Sequence, residues 1–228
     1  MLPKTIILHY KRLKSRKQSV IQQLNQYNFT DYTFYENYDQ NELTGELINK
    51  LYQPKQSNPN KWNQKVSLWG NKGLRHHKPI LTIAEISVTI KFGMVFKELL
   101  SHNFDYCIIF EDDVILCEDF ENLFFSNLSQ TPDHWDAIYF NDFPSLTKQI
   151  PNINKYYLKP NPSSRGGAST LLRYKTVEDL SSTWFPFNLV SDWELSAQHF
   201  LHNHKVYWWN PPLTYQGSII GRFKSTLR

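Results

Sequence analysis

Tyr106-Cys107-Ile108-Ile109-Phe110-Glu111-Asp112-Asp113-Val114-Ile115-Leu116 is the segment from which the architecture is read. Five apolar or aromatic residues run unbroken into three acids, and a second short apolar run follows. An unbroken run bounded by polar sequence predicts a strand buried on both faces, as inside a parallel sheet. Ligands of open α/β sheets gather beyond the carboxyl ends of such strands. Three adjacent carboxylates repel one another and are costly to bury unless a cation compensates them. Hard divalent ions such as Mg²⁺ or Mn²⁺ take carboxylate oxygens together with substrate phosphates. The turn therefore reads either as a metal site for a phosphorylated substrate or as a solvated acidic turn.

On the N-terminal side, Thr5 to Tyr10 predicts a first strand, and five of the seven residues Lys11–Lys17 are basic. Val20, Ile21, Leu24 and Tyr27 recur at helical spacing, so the basic run is a loop and a first helical turn. Cations there oppose the helix dipole unless an anion occupies the site, so Arg16 and Lys17 read as a phosphate contact or as a solvated face. Tyr32 to Tyr38 predicts a second strand, and Asn41 or Thr44 caps a short helix through Leu51. The polar stretch 53–79 reads as a long loop, functional or disordered. Its Trp62 and Trp69 either stack on a sugar or pin the loop, and His76-His77 lacks a metal spacing and is expected at the surface. Leu81 to Leu100 fits both a strand alternation and a helical stripe; its length and the Thr82–Glu85 capping box favour a helix.

Beyond the acidic turn, Phe120 to Leu128 predicts a helix and Trp135 to Phe140 a strand ending in Asn141-Asp142. Residues 144–162 read as loop with an extended piece at Tyr156 to Leu158. Arg165 to Leu172 enters a strand, Thr176 to Trp184 is a helix, and Asp192 to Phe200 is another that Ser191 or Asp192 can cap. Val206 to Trp209 is a last strand. With 228 residues and no internal repeat, the economical expectation is one α/β domain over 1–228, with a basic tail at 221–228.

Aromatic residues make up 15% of the chain, which suits a large aromatic core or a sugar-binding cleft. The net charge of +4 is too mild to indicate nucleic acid, and the aromatics are not interleaved with the basic residues. It suits an anionic small substrate or association of the basic ends with acidic membrane surfaces. Cys107 and Cys117 form no disulfide or zinc pattern. The N-terminus lacks a basic leader with a long apolar segment, and no window reaches the ~18 apolar residues of a membrane span. The expectation is a cytoplasmic protein, at most peripheral to a membrane.

Several of these segments together resemble glycosyltransferase family 25, the lipooligosaccharide and procollagen galactosyltransferase-like enzymes. The opening strand with Arg16-Lys17 is similar to that family's N-terminal strand and basic pair. Leu81-Thr82-Ile83-Ala84-Glu85 is similar to its Glu-containing helix, and Phe110-Glu111-Asp112-Asp113-Val114 to its acid motif, with the intervening spacing kept. Trp135 to Tyr139, Asp192, Asn210-Pro211-Pro212-Leu213 and Gln216 extend the resemblance over most of residues 1–220. Six residues after the helix Glu the family usually has Ser-His, where this chain has Lys91-Phe92.

The resemblance implies a GT-A-like, single-domain nucleotide-binding α/β sandwich with a mostly parallel mixed sheet, using a UDP-sugar and Mn²⁺ (or Mg²⁺). In such a site Glu111 and Asp113 would hold the metal, and Asp112 would face the sugar or brace the turn. Arg16, Lys17 and Glu85 would stand with Asp112 around the donor. Inverting transfer needs a base near the acceptor hydroxyl. Asp192 is the candidate, with Glu194 and Asp142 in reserve; a helix cap is the ordinary alternative for Asp192. The implied reaction moves galactose or glucose to a glycan, glycoprotein or hydroxylated side chain. The alternative is a catalytically silent relative that binds a glycan or protein, as the Lys91-Phe92 departure suggests.

Overall fold

The computed structural model describes residues 1–70, 77–143, 156–158 and 165–225. A seven-stranded sheet runs in the order β2-β1-β3-β8-β5-β9-β7. Its strands are β1 (Thr5–Leu8), β2 (Tyr32–Tyr35), β3 (Tyr106–Glu111), β5 (Ala137–Tyr139), β7 (Tyr156–Leu158), β8 (Ser169–Arg173) and β9 (Val206–Trp209). β2, β1, β3, β5 and β9 point one way, and β8 and β7 run against them. The sheet is thus mixed with most strands parallel, in an α/β architecture. A smaller sheet joins β4 (Val114–Leu116), β10 (Thr214–Gln216) and β6 (Asn141–Asp142).

The unbroken apolar run of β3 has a direct cause. Side chains alternate across a strand, and both faces of this sheet are covered. Cys107 and Ile109 enter one core with Phe92, Phe96, Val177, Leu180 and Leu195. Ile108 and Phe110 enter the other with Val20, Leu24, Phe120 and Phe124. The first layer belongs to helices α4 (Ile83–Leu99), α6 (Tyr174–Thr183) and α7 (Ser191–Leu201); the second belongs to α1 (Lys14–Gln26) and α5 (Phe120–Gln130). α2 (Gly45–Leu51) is capped by Thr44, whose side chain accepts from Leu47 N. The capping box of α4 is formed between Thr82 and Glu85 as expected.

Three expectations need correction. The stretch 53–79 is not loop throughout: α3 (Pro59–Ser67) lies within it, with Asn58 accepting from Lys61 N and Pro59 at the first helical position. Asn and Pro there are a favoured N-cap and N1 pair, a signal that the polar composition masked. Trp62 and Val66 pack with Leu189 and Ala197, which pins the segment to the body. His77 is buried rather than at the surface, wedged edge-on against Trp193 at 4.4 Å and beside Trp69 at 5.1 Å; His76 lies outside the described residues. Finally, α7 has Val190 as its N-cap, so neither Ser191 nor Asp192 caps it. No described helix is long and apolar enough to cross a membrane.

Candidate active site

β3 ends at Glu111, and the two acids after it turn the chain into β4. The loop after β10 closes over this turn. Gly217 N donates to the Asp113 carbonyl at 2.7 Å, Ser218 N to its carboxylate at 3.2 Å, and Gln216 Nε2 to Glu111 at 3.3 Å. A cavity opens beside the turn, lined by Glu111, Asp112, Asp113, Arg16, Lys91 and Gln216, among others.

The three acids have separate environments. Asp112 is braced: Arg16 donates to it at 2.7 Å, Tyr10 N at 3.1 Å, and His9 Nδ1 lies at 2.8 Å. Burial opposes its charge, but the bonds from His9 and Arg16 outweigh that and hold its pKa below the ordinary value. Asp113 is buried, and its Oδ1 has no hydrogen-bond partner among the described residues. Burial raises its pKa, while Ser218 and Arg16 work the other way. Glu111 is raised well above the ordinary value by burial and then by the charges of Asp113, Asp192 and Asp112, against Arg16. A Cβ on Gly167 would stand 2.7 Å from Glu111 Oε1, so glycine there leaves the carboxylate its room.

A carboxylate pair whose charges oppose one another, with one buried oxygen unpartnered, fits a divalent cation. Glu111 and Asp113 are the residues of the turn that could hold one. Arg16 is buried at the cavity wall, and its second nitrogen donates to the Lys224 carbonyl at 2.5 Å, with Phe223 against the guanidinium.

Asp192 comes close enough for its charge to act on Glu111 and on Tyr139. It stands in the first turn of α7 and accepts from Trp193 N at 2.9 Å. The residue is half-buried, and burial leads the causes that raise its carboxyl to about 6; the amide of Trp193 acts the other way, and the Glu85 charge adds to the rise.

Asp192 is not among the residues that line the cavity, and neither are the remaining candidates. Glu194 is fully buried in an ion pair with Lys65 and also accepts from Asn188 N, Leu189 N and Gln198 Nε2. Lys17 pairs with Glu36 at 2.8 Å and lies over the Phe34 ring. Glu85 is held by its own capping box and by Lys78 at 2.7 Å; burial works against its charge, but Lys78 and Thr82 keep the pKa low. Asp142 is half-buried in β6, opposite Tyr215.

Two further residues stand on the wall: His9, which carries no local sequence signal, and Lys91, the first residue of the pair that departs from the family's Ser-His. His9 faces Asp112 because β1 and β3 are parallel with Leu8 beside Glu111. Lys91 donates to the His9 carbonyl and to Asp39, both at 2.5 Å. Burial lowers its pKa, and Asp39 offsets part of that.

Comparison with known proteins adds the following. The model of glycosyltransferase family 25, described as LPS biosynthesis protein, matches residues 2–163. No curated protein matches the chain. Among solved structures, mouse xyloside xylosyltransferase 1 in its apo form is similar at 10% identity and a TM-score of 0.37, covering 90% of this chain and 73% of that one. A Bacillus anthracis protein assigned as a glucose-1-phosphate thymidylyltransferase, in complex with a sucrose, is similar at 10% identity and a TM-score of 0.45, covering 99% and 97%.

Proposed function

Because the chain belongs to glycosyltransferase family 25, we propose that it moves a hexose, galactose or glucose, from a UDP-sugar to an acceptor hydroxyl with inversion. The acceptor is a glycan of the kind made in lipopolysaccharide synthesis, or a hydroxylated side chain. The observation that carries this reading is the unpartnered Oδ1 of Asp113 beside Glu111, at a strand end that opens into a cavity walled by Arg16.

Glu111 and Asp113 would hold Mn²⁺ or Mg²⁺, which when bound neutralises charge on the diphosphate leaving group. The chain's own residues do the rest. Asp112 is committed to Arg16 and His9, so it fixes the guanidinium on the cavity wall rather than binding the ion. Arg16 adds a permanent positive charge for the nucleotide phosphates. Asp192 has the carboxyl suited to accept a proton from the acceptor hydroxyl: at about 6 it is mostly ionised at neutral pH and still basic enough to take one.

The test is a panel of UDP-sugars offered to metal-stripped enzyme, with and without added Mn²⁺. Transfer or donor hydrolysis that needs the ion, and that disappears in Asp113→Asn, is the expected result. Turnover equal in chelator would overturn the metal assignment. Donor binding without any turnover would favour the silent, binding-only relative.

A further inference from the structure

We propose that Asp179, His202 and His204 form a second cation site, selective for a transition metal of the Zn²⁺ type and separate from the acidic turn. One ligand atom from each lies within 4.8 Å of the others. None of the three lines the cavity at the acidic turn, and all lie beyond the residues that the family model matches.

The backbone explains how two imidazoles face the same side. α7 ends at His202, and Asn203 follows with φ 56°. Asn203 N then donates to Phe200 O at 3.1 Å and His204 N to His199 O at 2.9 Å. That pair of bonds is a Schellman stop, with Asn taking the left-handed position that glycine usually fills. The reversal stacks the His202 and His204 rings, with centroids 5.2 Å apart and planes at 14°. α6 supplies the third group: Asp179 Oδ2 is 3.3 Å from His204 Nε2.

The surroundings match what such a ligand set needs. A metal-bound histidine ordinarily keeps its other nitrogen in a hydrogen bond. His204 Nδ1 lies 3.0 Å from His199 Nδ1, and His199 Nε2 lies 2.8 Å from the Tyr139 hydroxyl. With a cation on His204 Nε2, the Nδ1 proton of His204 donates to His199, and the Nε2 proton of His199 donates to Tyr139. The chain is satisfied with every ring neutral.

Asp136 adds a negative charge that acts on His204. The opposing cation is Lys175, 2.9 Å from Asp179 Oδ1. It is mostly exposed and has Glu178 as a second partner, and it leaves Oδ2 to the histidines. His202 Nε2 is now 2.8 Å from Thr183 Oγ1 and must exchange that bond for the metal. Tetrahedral Zn²⁺ with bonds of about 2.0–2.1 Å wants its ligand atoms about 3.3 Å apart, so modest side-chain rotation closes the set. Two imidazoles and one carboxylate suit Zn²⁺, Cu²⁺ or Ni²⁺, whereas the all-oxygen acidic turn suits Mn²⁺ or Mg²⁺.

The test is calorimetric titration of ZnCl₂ into untagged, chelator-stripped full-length protein carrying Asp113→Ala, which removes the acidic-turn site from the reading. One Zn²⁺ should bind per chain, undisturbed by excess Mg²⁺, and His202→Ala and Asp179→Asn should each weaken it about 100-fold. His202 is half-exposed, so its variant should melt like the parent in chelator, keeping the result interpretable even if a change at His204 unfolds the protein. No heat of binding, or Zn²⁺ affinity unchanged in both variants, would overturn the proposal.

Discussion

Asp192 and Glu194 stand two residues apart on α7, about 200° around its axis, and their surroundings differ accordingly. Asp192→Asn should lower transfer by about 10² to 10⁴ while donor affinity stays near wild type, read by turnover and by titration with UDP. In the wild type, activity should fall as pH drops below about 6, the value of the ionising carboxyl. The stability effect has the opposite sense. The folded value lies above the ordinary 3.8, so the folded state binds more protons between the two. This group's contribution is full below the unfolded value and is lost as pH rises through the folded one. Removing the charge should therefore raise Tm at neutral pH, by about 2–4 °C for about 1 kcal/mol. Glu194→Ala makes the contrasting case. It strands the buried Lys65 ammonium and should cost about 3–5 kcal/mol, seen as a drop in the denaturant midpoint. Turnover per folded molecule should change little.

Among the elements, α4 shows how one side chain sets the distance between two helices. A Cβ on Gly93 would overlap the side chains of Trp184 and Phe185. Alanine normally favours a helix over glycine by about 1 kcal/mol, but the overlap should reverse the sign. Gly93→Ala should destabilise by about 1–3 kcal/mol, measured by urea unfolding. The same helix was legible in the sequence because its capping box is local. So were β3 and β9, whose apolar runs need no distant partner to be read. α3 was missed although Asn58-Pro59 announced it, because buried Lys65 makes sense only beside Glu194, 129 residues away. The site divides in the same manner. Glu111 and Asp113 stand two positions apart in one acidic turn and could be read together. The place of His9 against Asp112 depends on the β1–β3 register, and the histidine cluster depends on α6 meeting the end of α7.

For the whole molecule, the decisive arrangement is β8 running against β3 on one side and β5 on the other. The family match ends at residue 163, before β8 and β9. A fragment of residues 1–163 should therefore show no cooperative thermal transition, whereas the full chain should; calorimetry of the two decides this. The same strand sets a timetable for synthesis. Glu111 and Arg173 are about 60 residues apart, so at about 5–20 residues per second the ribosome needs about 3–12 s to supply the missing partner. During that interval β2, β1 and β3 can pair, but β3 presents a bare and apolar edge, the kind that joins other chains. Refolding from denaturant should accordingly lose yield steeply as protein concentration rises, and a chaperone that shields strand edges should restore it.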